Sequence, residues 1–123
     1  MGPYTNRRSA KLLLEWCRER YGTSRFADFN DLRIRLSSKL EFLGEYCPDE
    51  NEIVLNPTKH RSLVDWCCTF IHEYIHFKQD MEQYELIKID YDNHPYEIEC
   101  NSIADSDKFA AKLWVLRKLR KRK

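Results

Sequence analysis

His72-Glu73-Tyr74-Ile75-His76 is the stretch around which the rest of the chain is interpreted. Residues four apart lie on one face of an α-helix, so His72 and His76 could offer imidazole nitrogens to a single metal ion. Glu73 lies one step further round the helix, where its carboxylate would contact a metal-bound water and not the metal itself. The spacing predicts a helical metal site with Glu73 as general base, and it requires a third ligand from elsewhere in the chain.

The helix that carries this stretch has a recognisable start and a buried face. Ser62, followed three residues later by Asp65, has the pattern of a capping box, which predicts a helix start near Ser62. Apolar side chains at alternating four- and three-residue spacing predict one buried stripe: Leu63, Cys67, Phe70, Tyr74, Phe77 and Met81. His72, Glu73 and His76 lie off this stripe, as do Thr69 and Asp80. The sequence therefore predicts a mid-helix site on a face distinct from the core.

The residues before this helix predict one helix and three short strands. Thr5–Tyr21 has helical spacing of its apolar residues, and Gly22 is the expected stop. Asp31–Leu36 alternates between apolar and basic side chains, which is typical of a half-buried strand. Phe42–Cys47 and Glu52–Asn56 are two further strands separated by turn residues. Strand, turn and strand in this order predict an antiparallel hairpin.

The residues after the central helix predict a connection and a long final helix. Gln83–Asn93 is mixed and polar, with extended structure expected at Leu86–Ile89. His94 and Pro95 open the last helix, because proline suits the first helical turn, and that helix runs to about Lys118 or beyond. Its predicted buried positions are Ile98, Ala104, Ala110, Leu113 and Leu116. The order of elements predicts one α+β domain over residues 1–123.

Composition limits the class of protein. The 123 residues suffice for one domain with a modest core, and 42% apolar residues argue against disorder. A net charge of +1 excludes a strong whole-molecule field for nucleic acid or membranes. Five cysteines without framework spacing, and the lack of a secretory signal or an apolar span, predict an intracellular, cytoplasmic protein with no membrane partner. Its oligomeric state is not indicated.

Three residues downstream of His76 are candidates for the third metal ligand. Glu97 lies near the start of the final helix, and Asn101, one turn later, shares its face. The Asn101 side chain could hydrogen-bond the ring nitrogen of a ligating histidine that does not contact the metal. Glu99 points about 200° away from Glu97 round the helix, so the two cannot both serve. His94, from the preceding loop, could also reach the metal. A His/His/Glu set favours zinc, and the sequence predicts one Zn²⁺ per chain.

The central stretch together with Glu97-Ile98-Glu99-Cys100-Asn101 resembles the gluzincins, in which HExxH is followed by a glutamate in an ExxAD- or ExEAN-like helix. The nearest groups are the minigluzincins and the ImmA/IrrE-type metallopeptidases, and the resemblance covers residues 43–104. Cys100 stands where alanine is usual, and Asn101 where many relatives have aspartate. A SprT-like arrangement, with histidine as third ligand, resembles the chain less well, because Pro-Tyr-Glu follows His94.

The resemblance implies a minimal zincin-like domain and a zinc metallopeptidase acting on a protein or peptide. Its expected parts are an N-terminal helix, a small, mostly antiparallel sheet, an active-site helix and a long C-terminal helix carrying the third ligand. The strand at Ile53–Asn56 resembles the zincin edge strand. Zinc held by His72, His76 and Glu97 would activate a water whose proton Glu73 accepts. The candidates for stabilising the oxyanion are Tyr84, Tyr91 and His94.

Besides a helix with two partly exposed histidines and no metal, three other interpretations compete with a peptidase. The first is a metal-binding module without catalysis. The second is a structural zinc site that combines Cys67 or Cys68 with His72, although no paired CxxC is present. The third is a module that binds nucleic acid or an acidic partner through the basic end, residues 117–123. Cations at a helix C-terminus also simply complement the helix dipole.

Overall fold

The computed structural model describes residues 4–121 and confirms the predicted α+β class. Its regular elements within that range, in chain order, are α1 (Arg7–Tyr21), β1 (Arg33–Leu36), β2 (Gly44–Cys47), β3 (Glu52–Leu55), α2 (Leu63–Lys78), α3 (Met81–Leu86) and α4 (Pro95–Lys121). Short 3-10 turns lie at Phe29–Asp31, Pro57–Lys59 and Tyr91–Asn93. Residues 1–3 of the predicted domain and residues 122–123 of the basic end lie outside the described range.

The first helix begins two residues later than predicted and ends where the sequence indicates. Asn6 has an extended backbone, and its side chain accepts a hydrogen bond from the Ser9 N–H at 3.0 Å. Ser9 returns a contact to the Asn6 backbone, so the pair forms a full capping box. Gly22 terminates the helix with a φ of 79°, a conformation that suits glycine, and its N–H donates to the Arg18 carbonyl.

The sheet has the order β1-β3-β2 and contains one parallel and one antiparallel pair. The predicted hairpin is confirmed, since β2 pairs antiparallel with β3. β1 pairs parallel with β3, so the sheet is mixed instead of mostly antiparallel. The hairpin places β3 between its partner and β1, an ordering that strand patterns alone do not specify. Ile53–Leu55 is therefore in the central strand, and the edge strand that packs against α2 is β2.

The central helix α2 begins where the sequence predicts and is buried on several sides. The Ser62 side chain accepts a hydrogen bond from the Asp65 N–H at 3.2 Å and caps the helix. The predicted apolar stripe is buried from Leu63 to Phe77, with Met81 partly buried beyond the helix end. α2 packs against α1, α4 and both β2 and β3. Trp66, Ile71 and Ile75 are also buried, which makes α2 the centre of the core.

The segment after α2 corrects one prediction. Extended structure at Leu86–Ile89 is wrong, because α3 occupies Met81–Leu86 and a loop follows it. The Asp80 side chain accepts from the backbone N–H groups of Glu82 and Gln83 and so caps this short helix. Leu86 is 71% exposed, and a strand here would have no neighbour to pair with.

The last helix starts at Pro95, as predicted, and presents a different buried face from the one expected. Ile98 and Leu113 are about half exposed and Ala110 is exposed, whereas Ala104 is buried as predicted. The buried residues are Glu97, Cys100, Ala104, Ala111 and Val115. Because Glu97 faces α2, its neighbour Ile98 turns toward solvent. No helix within residues 4–121 is both long and apolar enough to cross a membrane.

Candidate metal centre

A cavity of about 890 Å³ opens beside α2 and brings the predicted site residues together. His72, Glu73, His76 and Glu97 all line it. β2 and the residues just before it form one wall, while α3 and the turn at Tyr91–Asn93 contribute to another. The predicted separation of site and core is confirmed, since the apolar stripe of α2 packs in the core and the HExxH face borders the cavity.

Three potential ligand atoms converge on one point in this cavity. Glu97 Oε1 lies 2.9 Å from His72 Nε2 and 3.1 Å from His76 Nε2. The two Nε2 atoms are 3.2 Å apart. Ligand atoms about 2.0–2.1 Å from a tetrahedral zinc ion are roughly 3.3 Å from one another. The triangle formed by His72, His76 and Glu97 is thus close to the size that three ligands of one such ion require.

Glu97 is held in this position by its second oxygen. The Tyr84 hydroxyl donates to Oε2, which leaves Oε1 directed at the histidines. Burial alone would raise the pKa of Glu97, but hydrogen bonds from both histidines and from Tyr84 outweigh it and hold the pKa well below its usual range. Glu97 is therefore a carboxylate, the form that binds metals.

Glu73 lies beside this triangle, under the edge strand. Its carboxyl group is buried and accepts a hydrogen bond from the backbone of Tyr46 in β2. Burial raises the pKa of Glu73, and the charges of the two histidines partly oppose that rise. A buried carboxylate with a raised pKa is a better proton acceptor than an exposed one.

Gly44 allows β2 to approach α2 this closely. A Cβ atom at this position would lie 2.7 Å from Thr69 Cγ2 and 3.3 Å from Glu73 Cγ. The first distance is too short for any real pair of carbon atoms, so a side chain here would push the strand from the helix. Glycine is required at residue 44 by close approach and not by backbone conformation.

His94 has neither of its predicted roles. Its ring is buried, Nδ1 accepts the Tyr96 N–H at 3.1 Å, and Nε2 donates to the Tyr84 carbonyl at 3.0 Å. With both nitrogens occupied, His94 can neither bind the metal nor donate to an oxyanion. It instead caps the start of α4 and stacks on Tyr84, with the ring centroids 3.8 Å apart.

The other predicted residues are distributed differently around the site. Tyr84 contacts Glu97, and Tyr91 lines the cavity with 55% of its surface exposed. Glu99 is exposed and accepts from Gln79, so its carboxylate is directed away from the histidines. Asn101 lines the cavity but makes no side-chain hydrogen bond within residues 4–121.

The side chain that orients His76 is that of Gln79, which the sequence patterns did not indicate. Gln79 Oε1 lies 2.7 Å from His76 Nδ1, where a partner from Asn101 was predicted for one of the histidines. The sequence feature that could have indicated this contact is the three-residue spacing of His76 and Gln79, because residues three apart on a helix are neighbours. Gln79 directly follows α2, within one turn of His76.

Cys100 provides a second potential donor beside the same histidines. His72, His76 and Cys100 offer ligand atoms within 4.8 Å of one another, a group that could hold a metal ion. Cys100 Sγ approaches His76 at Nδ1, at 3.5 Å, on the opposite side of the ring from Glu97. In the described part of the chain, Cys67 and Cys68 join no such group, and all five cysteines are free thiols.

Comparisons with protein-family models, with curated proteins and with solved structures found no match for this chain. The chemistry of the site must therefore be inferred from the chain's own geometry.

Proposed function

We propose that this protein is a zinc-dependent peptidase in which His72, His76 and Glu97 hold the metal and Glu73 is the general base. The observation that carries the proposal is the triangle of His72 Nε2, His76 Nε2 and Glu97 Oε1, with sides of 2.9–3.2 Å, beside an open cavity. Two imidazoles and a carboxylate, with room left for water, form the donor set of a catalytic zinc site.

The chemistry of these donors supports a bound cation. Glu97 accepts only, and a neutral histidine has one nitrogen lone pair to offer. His72 can donate to Glu97 from Nε2 as a neutral ring, but His76, whose Nδ1 faces the Gln79 oxygen, can donate to Glu97 only when it is positively charged. Without a metal, that charge is a proton: burial lowers the pKa of His76, but the hydrogen bond with Glu97 and the charge of Glu73 raise it above its ordinary value.

Glu97 is a better candidate than Cys100 for the third ligand. His76 directs Nε2 toward Glu97 and Nδ1 toward Gln79 and Cys100. Ligation by Cys100 together with His76 Nδ1 would require His76 to give up its 2.7 Å contact with Gln79. Burial also raises the pKa of the Cys100 thiol, which disfavours the thiolate that binds metals.

The roles in hydrolysis follow from where each group lies. Zinc, when bound, acidifies water and polarises a carbonyl group. Glu73 faces the same cavity and accepts the proton of the attacking water, then returns it to the leaving amine. The hydroxyls of Tyr84 and Tyr91 both lie against Glu97 on the cavity wall, so either is placed to donate to the substrate carbonyl.

An extended peptide is the substrate that suits this cavity. Within residues 4–121, β2 pairs with a strand only on its β3 side; its other edge borders the cavity wall, where the Tyr46 backbone donates to Glu73. Such an edge can hold a peptide by adding it as a further strand, which would place successive peptide bonds past Glu73.

Glu73→Gln tests the catalytic assignment. The variant keeps the shape of the site but removes the proton acceptor, so we expect zinc content near wild type and at least about 100-fold slower cleavage of a random-sequence quenched fluorescent peptide mixture. Glu85→Gln, an exposed carboxylate on the same cavity, is the matched control and should cleave normally. A Glu73→Gln protein as active as wild type would sink the assignment. Zinc binding without cleavage by the wild type would identify a non-catalytic metal module.

A further inference from the structure

Gln79 makes contacts with every polar atom of its buried side chain. It follows the last residue of α2, and its backbone N–H donates to the His76 carbonyl at 3.0 Å. Its amide nitrogen donates to the Tyr96 carbonyl at 3.0 Å and to Glu99 Oε1 at 2.8 Å. Its amide oxygen faces His76 Nδ1 at 2.7 Å and Cys100 Sγ at 3.6 Å. Gln79 therefore links the end of α2 to the first turns of α4.

These contacts fix the orientation of the amide. A backbone carbonyl and a carboxylate are both acceptors, so the group facing Tyr96 O and Glu99 Oε1 must be the NH₂ of Gln79. The oxygen is consequently the atom that faces His76. Because an amide oxygen can only accept, His76 must carry a proton on Nδ1.

We propose that Gln79 is the positioning residue that holds His76 in its Nδ1–H form, with the Nε2 lone pair directed at His72 and Glu97. A neutral imidazole with a proton on Nδ1 has none on Nε2, and this Nε2 lies 3.2 Å from His72 Nε2 and 3.1 Å from Glu97 Oε1. The use of this lone pair as a zinc ligand rests on the proposed function, whereas the protonation at Nδ1 follows from the contacts of Gln79.

The same arrangement selects between the two donor sets around the histidines. Cys100 approaches His76 on the Nδ1 side, and Nδ1 is occupied by Gln79. As long as the amide is in place, His76 is available only on the Glu97 side. Loss of the amide would free Nδ1 and open the alternative set of His72, His76 and Cys100 to a metal.

Gln79→Met provides the test, because methionine fills similar space and presents no amide oxygen. In metal-free protein at alkaline pH, where the imidazoles are neutral, long-range ¹H–¹⁵N spectra should show His76 as Nδ1–H in wild type and a shift toward Nε2–H in the variant. Zinc affinity, measured by chelator competition, should fall about 10- to 100-fold in the variant. With Co²⁺ as the probe, thiolate charge-transfer absorption should appear in the variant only.

Two further proteins separate positioning from packing. The double variant Gln79→Glu with Glu99→Gln keeps an acceptor toward His76 and restores a donor between positions 79 and 99, but it loses the donor to the Tyr96 carbonyl, so its zinc affinity should lie between that of wild type and that of Gln79→Met. Gln83→Met, on the exposed surface of α3, should change nothing. If the double variant loses zinc as strongly as Gln79→Met, Gln79 acts by packing alone and the proposal is wrong.

The tautomer and the function can fail independently. An Nε2–H form of His76 in wild type would overturn the role of Gln79 whether or not zinc binds. If wild-type protein binds no zinc but His76 is Nδ1–H only while Gln79 is present, the positioning role stands and the proposed peptidase falls.

Discussion

Two buried histidine networks lie side by side in this protein, and they differ in how their hydrogen bonds close. His60 Nδ1 contacts the Asn56 carbonyl and Nε2 contacts Thr69 Oγ1, both at 2.8 Å. A carbonyl accepts from Nδ1–H and a hydroxyl donates to Nε2, so a neutral His60 is fully satisfied. The His72, His76 and Glu97 network has comparable distances, but two Nε2 atoms face the same Glu97 oxygen and also face each other.

The difference shows what distinguishes a structural histidine from a candidate ligand. Both networks are largely enclosed by protein, so burial does not separate them. Both consist of contacts near 3 Å, so distance does not either. The balance of donors and acceptors does: the His60 network is complete with a neutral ring, whereas His76, whose Nδ1 already donates to Gln79, can also donate to Glu97 only as a cation.

Removing a member of the His72, His76 and Glu97 network should have the largest effect, which is a loss of zinc affinity. Glu97→Ala deletes one of three proposed ligands, and we expect zinc affinity to fall by more than about 100-fold, beyond the usual loss for a supporting residue. Zinc per chain after dialysis against a weak chelator measures this. Glu99→Ala should retain its zinc, and Cys100→Ser should stay close to wild type. Zinc lost from Cys100→Ser but not from Glu97→Ala would instead favour the set with Cys100.

Gly44 lies against Thr69, which belongs to the His60 network, and against Glu73, which lies beside the other network. Its substitution should therefore disturb both places together. In Gly44→Ala, the new methyl group would collide with Thr69, the partner of His60, and crowd Glu73. We expect about 1–3 kcal/mol of lost stability, as for other overpacked sites, together with slower cleavage. Urea unfolding and peptide cleavage measure the two effects. Glu45→Ala, at the next and exposed position, should be nearly neutral; equal effects in the two variants would exclude the close-contact explanation.

The smallest expected effect is the dependence of protein stability on the protonation of His60. Burial lowers the pKa of His60, with a smaller opposing effect from its hydrogen bond to Asn56. The unfolded chain therefore takes up the proton first as pH falls below about 6.5, and stability declines with it. Urea unfolding of metal-free protein at pH 7.5 and 5.5 should show a larger loss for wild type than for His60→Gln. An identical loss in both would mean that the pKa of His60 is the same in the folded and the unfolded chain.

Features set by neighbouring residues could be predicted from the sequence. Ser62 and Pro95 mark helix starts through local capping and backbone rules, and the four-residue spacing of His72 and His76 places both on one face. The proximity of Glu97 to the histidines followed from the resemblance and from its place in the last helix.

Features set by contacts between residues far apart in the chain could not be predicted from the sequence. The parallel pairing of β1 with β3 depends on where the hairpin inserts. The outward turn of Ile98 depends on Glu97 facing α2. His94 was a candidate ligand because the sequence does not show which groups hydrogen-bond to a histidine. Only coordinates show that both of its nitrogens are already used.

The length of α4 separates the basic end of the chain from the cavity. Arg120 lies 23 residues beyond Glu97 along one helix, a distance of about 35 Å at 1.5 Å per residue. A peptide in extended form covers that distance with roughly ten residues. A short substrate in the cavity therefore cannot also reach Arg120 and Lys121. Any contribution of these cations to recognition is restricted to partners long enough to bridge both ends of the helix.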